Sequence, residues 1–264
     1  MNVDFSVSLK ELEYFLLILI RVGSFVGVAP FFNTNNTPRP LKIWFSVFVS
    51  FLLYEVISPH VYVTYSTMIE YTICILKELI TGLLIGFSAN VAVMVTTFAG
   101  QLVDNNIGFS MAAQMDPITQ QNTTVSGYVY RYGFMLVFIV SGMYRYLIEA
   151  LAETFELIPV NGAVFNLELM FGSFIELITQ YVMLGFWIAL PVFSVILILN
   201  GLLGVMAKVS PQMNMFSVGI QIKAIVGLTV MWATISLLPK AGDLIYKGMQ
   251  RSIVSVIKAM GGGV

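Results

Sequence analysis

Histidine and cysteine are almost missing from these 264 residues: there is one of each, His60 and Cys74. A zinc site of the usual kind needs several such ligands, so none is expected. An intrachain disulfide is excluded. Cys74 lies in an apolar segment and reads as a small buried hydrophobe. Charge is scarce as well. Asp, Glu, Lys and Arg make up 10% of the chain, against roughly 25% in soluble domains. The net charge of -1 gives no general attraction to nucleic acid or to anionic lipid. Patterns that carry catalysis are missing too. There is no Gly-rich phosphate loop, no Ser-x-x-Lys, no GxSxG and no pair of carboxylates set in a helix core. His60 follows Pro59 and reads as a loop residue. No enzymatic role and no cofactor are expected.

What the chain has is apolar length. Its composition is 58% hydrophobic and its mean hydropathy is +0.88. Leu79–Val103 and Leu177–Ala207 carry no charge at all, and each exceeds the roughly 20 residues that cross a hydrocarbon core. Six apolar blocks are expected to be helices: Leu12–Phe32, Leu41–Ile57, Met68–Ala99, Ser126–Ala150, Leu169–Ala207 and Val218–Leu238. The class is all-α and membrane-type, because backbone groups in lipid must be satisfied within their own segment. Pro191 is the candidate kink of the fifth block. Gly82 with Gly86, and Gly201 with Gly204, are small residues spaced for close helix contact. The N-terminal stretch carries Asp4, Glu11 and Glu13 against Lys10, unlike the positive start of a cleaved signal. Placing Lys- and Arg-rich loops inside conflicts with six spans, because the basic tail from Lys240 would then fall outside. Either some blocks are hairpins that do not cross, or the protein is not embedded in the usual way.

Two features invite a functional reading. Arg21 sits amid LILIRVGSF, and Lys77, Glu78 and Glu176 lie in other apolar blocks. An arginine at a bilayer centre costs about 2.5–3.5 kcal/mol on insertion scales. Arg21 is therefore expected in a buried pair, within the chain or across a subunit contact. The other three either share such a role or snorkel from a helix end. The second feature is Gly100–Thr124, a polar interruption whose only charges are Asp104 and Asp116. Asn105-Asn106, Gly108 and Asp116-Pro117 are turn formers, so part of it is expected to be non-helical. Such backbone must be buried in protein or line a water-filled path. It is a candidate for closing a pore, or else a structural loop that never moves.

Several runs, in order, carry a family resemblance. They are Arg21-Val22-Gly23 with Ala29-Pro30-Phe31-Phe32; Pro38 and Lys42-Ile43; Gly82-Leu83-Leu84-Ile85-Gly86-Phe87; Ala99-Gly100-Gln101-Leu102-Val103-Asp104 with Gly108-Phe109-Ser110-Met111-Ala112 and Asp116-Pro117; Ile158-Pro159; and Ser210–Phe216 with Val218-Gly219. Over nearly its whole length the chain resembles the FliR family of flagellar, type III export-gate proteins. An injectisome homologue of that family and a secondary transporter are the alternatives. The resemblance implies a single helical export-gate domain over residues 1–264, about 1–165 like FliP and about 166–264 like FliQ. It implies assembly with FliP and FliQ, contacts with FlhB- and FlhA-type export proteins and membrane lipid, and passage of unfolded protein substrates. The expected place is the bacterial inner membrane within the flagellar basal body, with the core standing largely above the membrane plane. By the same resemblance Asp104–Asn122 plugs the channel, with Asp104, Asn105, Asn106, Gly108, Phe109, Ser110, Met111, Gln114, Met115, Asp116 and Pro117 as the plug residues. Phe109, Met111 and Met115 suit that task by bulk and adaptability. Ser210, Pro211, Gln212, Met213, Asn214, Met215 and Phe216 form the partner-facing hairpin turn.

Overall fold

The computed structural model describes residues 5–32, 37–57, 62–112, 114–115, 122–210, 212 and 215–261. Its described residues form eight α-helices: α1 (Phe5–Val28), α2 (Arg39–Val56), α3 (Met68–Ile107), α4 (Val125–Val140), α5 (Tyr144–Leu157), α6 (Leu167–Val209), α7 (Met215–Thr234) and α8 (Leu238–Ala259). The only ladder among the described residues is two residues long on each side, β1 (Gln114–Met115) against β2 (Asn122–Thr123). The fold is all-α, as the apolar blocks predict.

One of those blocks, and the tail that follows the last of them, differ in detail. Ser126–Ala150 is two helices rather than one. The α4 helix ends at Val140, Gly142 turns with φ 71°, and the freed carbonyls are taken up locally. Gly142 N–H donates to Ile139 O at 3.1 Å and Met143 N–H to Phe138 O at 3.2 Å, the paired bonds of a Schellman stop. The basic tail is also not a tail. It is the 22-residue helix α8, with Ile245, Met249, Ile253, Val256 and Ile257 buried and Lys240, Lys247, Arg251 and Lys258 exposed. That i, i+4 apolar rhythm marks an amphipathic helix.

The chain divides into two compact units. Each draws on both residues 1–165 and residues 166–264. The first comprises Met1–Val91, Tyr144–Ile178 and Met249–Val264. Here α1 buries Tyr14, Leu17, Ile18, Val22 and Phe25, a stripe at helical spacing that fixes its inward face. The expected contact at Gly82 and Gly86 is present. A Cβ on Gly82 would stand 2.2 Å from Arg21 O, and one on Gly86 2.9 Å from Phe25 O. Only glycine lets α3 lie this close to α1. The end of α8 is closed by Val164 N–H donating to Met260 O at 3.0 Å. Asn166 Oδ1 caps the start of α6 by accepting from Leu169 N–H at 3.2 Å.

The second unit comprises Ala92–Met143 and Thr179–Gly248. Its core joins Ala99, Val103 and Ile107 of α3 to Tyr130 of α4, Ala189, Val192 and Ile196 of α6, and Met231 of α7. The α6 helix continues through Pro191 without ending. Gly201 and Gly204 face open space, so the close contact expected there is not made among the described residues. Among the described residues, three helical stretches are long and apolar enough to cross a membrane: Met68–Ile107, Leu167–Val209 and Ser217–Ala259.

Candidate functional site

The polar interruption starts later than its composition predicts. The α3 helix carries on to Ile107, so Asp104, Asn105 and Asn106 belong to its last turn and not to a loop. Gly108 then ends the helix with φ 100°, its N–H donating to Asp104 O at 2.9 Å. This is the left-handed stop that glycine reaches without strain. A 3-10 turn follows over Phe109–Ala112. Next comes the short ladder, with Gln114 opposite Thr123 and Met115 opposite Asn122. The backbones of Met111, Gln114 and Met115 belong to these elements. Asp116 and Pro117 lie outside the described residues.

A buried latch holds the two ends of this excursion together. The Asp104 carboxylate, fully buried, accepts from Ser126 N–H at 2.7 Å and from Ser126 Oγ–H at 2.5 Å. Ser126 lies in the first turn of α4, where backbone N–H groups have no helical partner and the helix dipole favours an anion. Thr124 is the N-cap residue, but its side chain makes no capping bond, and its buried hydroxyl has no partner among the described residues. Asp104 caps α4 from another helix instead. Hydrogen bonds to a charged group of this kind contribute about 1.5–3 kcal/mol each. They require α3 and α4 to approach closely, and glycines allow it. A Cβ on Gly100 would lie 2.2 Å from Gly127 Cα.

Of the proposed plug side chains, Phe109 is half-buried and packs against the core of its own unit. Asn106 is half-buried and donates through Nδ2 to Leu102 O at 2.7 Å, while Asn105 and Ser110 are exposed.

The second polar centre is Arg21. It is 0% exposed, and so is Glu78. Arg21 Nε donates to Glu78 Oε2 at 2.5 Å and Nη2 to Oε1 at 3.1 Å, a two-pronged pair. Nη1 reaches Ile158 O at 2.8 Å and Thr154 O at 3.2 Å, and Nη2 reaches Pro159 O at 3.4 Å. The guanidinium thus serves the open carbonyl end of α5, where a cation suits the helix dipole. It also lies 4.2 Å from the centre of the Phe155 ring. Glu78 Oε1 accepts from Asn161 N–H at 2.7 Å, in a turn where Asn161 has φ 65°. The expected buried pair exists and its carboxylate is in the same chain. The α5 carbonyls carry no side-chain signature, which is why sequence reasoning missed them. Lys77 is half-buried. Glu176 is exposed and accepts from Ser255 Oγ at 3.2 Å. Neither joins the Arg21 cluster.

Ser210 N–H donates to Met206 O at 2.9 Å just past α6, and Gln212 is exposed. Pro211, Met213 and Asn214 lie outside the described residues. Met215 and Phe216 open α7. The residues expected in that turn fall at the end of α6 and the start of α7.

Known proteins similar to this chain match it over most of their length and its own. The "Flagellar biosynthetic protein FliR" of Aquifex aeolicus is 29% identical over 86% of this chain and 88% of its own. The protein of the same name from Bacillus subtilis is 26% identical over 85% and 86%. That of Escherichia coli is 21% identical over 96% and 95%. Matched by the description "Bacterial export proteins, family 1" over residues 12–248, the chain belongs to that family.

Proposed function

We propose that this chain is a structural subunit of the flagellar protein-export gate. In this reading it assembles with FliP- and FliQ-type subunits in the bacterial inner membrane, within the basal body. FlhB- and FlhA-type proteins meet the assembly, and unfolded substrates pass through it. The relatives matched over most of the chain are flagellar biosynthetic proteins, which favours the flagellar system over an injectisome. The role is mechanical and not catalytic.

The segment from Gly108 to Asn122 is the stopper of the channel. The Asp104–Ser126 latch carries this reading. Two helices meet at a buried, charge-assisted contact, and the sequence between them is polar and nearly uncharged. The latch joins α3 and α4 directly, so their contact does not depend on the segment between them. Side chains such as Met111 and Met115 adapt to an irregular channel. Amides bind passing backbone without holding ions tightly.

Deleting residues 109–121 is expected to leave the complex assembled yet leaky to small ions, read as conductance of the purified complex in planar bilayers. A deletion channel as ion-tight as the wild type removes the stopper assignment.

A further inference from the structure

The Asp104–Ser126 latch has a third wall, and α7 supplies it. Gly227 of α7 receives the side chain of Ile107. A Cβ on Gly227 would stand 2.4 Å from Ile107 Cδ1 and 2.6 Å from Cγ1. Ile107 is fully buried and is the last residue of α3, in the same turn as Asp104. One turn further along α7, Met231 Sδ stands 3.1 Å from Ser126 Oγ. A hydroxyl has one proton to give, and here it goes to the Asp104 carboxylate. The sulfur covers the other side of that oxygen. Positions i and i+4 lie on one face of a helix. A single face of α7 therefore meets both the end of α3 and the start of α4, the two elements that the latch joins.

Elsewhere α7 is lightly held. Among its described residues only Gly219, Gly227 and Met231 are buried, and two of these three are the ones at the latch. Ile220, Ile225, Leu228 and Trp232 are exposed. A helix with few buried contacts belongs to the low end of local stability. Displacing α7 thus breaks little besides its hold on Ile107 and Ser126. It also uncovers the latch. Hydrogen bonds to a buried carboxylate are strong because their surroundings are dry, and water admitted past Met231 competes for them.

We infer that α7 is the element that keeps the latch closed, with Gly227 and Met231 as its positioning residues, and that moving α7 away opens the channel. The opening step rests on the stopper reading; the hold on the latch does not.

The test uses the assembled complex and two readouts. Hydrogen exchange over residues 124–130 follows the latch, because Ser126 N–H donates to Asp104. Exchange over residues 249–259 follows the fold elsewhere. Gly227→Ala forces Ile107 aside and should speed exchange over 124–130 about tenfold, the factor lost with one hydrogen bond to a charged group, with 249–259 unchanged. Gly219→Ala on the same helix meets only an ordinary contact, 3.5 Å from Leu203 Cδ1, and should alter neither segment. Met231→Ala should act like Gly227→Ala, whereas Met231→Leu, which nearly keeps the volume, should stay close to wild type. The two loosened variants should also leak small ions in planar bilayers. Unchanged exchange over 124–130 in both Gly227→Ala and Met231→Ala overturns the inference, as does an equal rise in the two segments. Loosened variants that stay ion-tight, when deletion of residues 109–121 leaks, overturn it as well. If that deletion is tight too, the stopper reading is what fails, and faster exchange over 124–130 still assigns the latch to α7.

Discussion

Arg21 shows what one residue can tie together. Its guanidinium bonds Glu78 of α3 and three carbonyls at the end of α5. Arg21→Ala removes one partner of a buried pair and strands Glu78, a loss of about 3–5 kcal/mol. The mutant chain itself is expected to unfold at lower temperature in detergent, before any question of assembly arises. Near-normal thermal stability would show that the pair is dispensable. Adding Glu78→Gln to Arg21→Ala should recover part of the loss, since no buried charge is then left alone. Two glycines make a second contrast. Gly100→Ala puts a methyl into the α4 backbone and should separate the latch, with a leaky or poorly assembled complex. Gly108→Ala meets open space, so only its positive φ opposes it, at about 1 kcal/mol. If both lower the unfolding midpoint equally, the close approach of α3 and α4 does not matter. Arg21 in an apolar run announced a buried pair. Its carboxylate could not be chosen among several, because pairing over 57 positions leaves no local trace.

At the scale of elements, α8 is the instructive case. Lysines and arginines spread along residues 240–258 read as a basic tail. The spacing of Ile245, Met249, Ile253 and Val256 was the signal of a helix buried on one side. Ile253→Ala should destabilise the chain by about 2–5 kcal/mol, and Arg251→Ala, on the exposed face, by no more than about 0.5 kcal/mol. Thermal unfolding of the two variants side by side checks the assignment; equal effects would mean that α8 is not packed as described. The stop between α4 and α5 was also legible, in Ser141-Gly142. The long apolar runs on both sides outweighed it. The polar interruption was legible as an interruption, but Asp104, Asn105 and Asn106, expected in its loop, lie in α3.

Considered as a whole, the molecule leaves much apolar surface uncovered. Ile198 is 65% exposed on α6, and Leu197, Leu202, Val205 and Met206 around it are exposed too. A contiguous apolar face of this kind calls for lipid or for another subunit. Ile198→Cys is expected to react readily with maleimide in the isolated chain in detergent and to be protected in the assembled gate. Equal labelling in both states would place that face outside subunit contacts.

Apolar run length and the scarcity of charge settle a helical, membrane-type chain before any contact is considered. They do so because backbone hydrogen bonding in an apolar medium leaves long apolar segments one local solution. Folding in three dimensions chose the partner of Arg21, the residue that caps α4, and the glycines on which helices touch. Those choices depend on atoms far apart in the chain meeting at a few ångströms, and no pattern of neighbours encodes that.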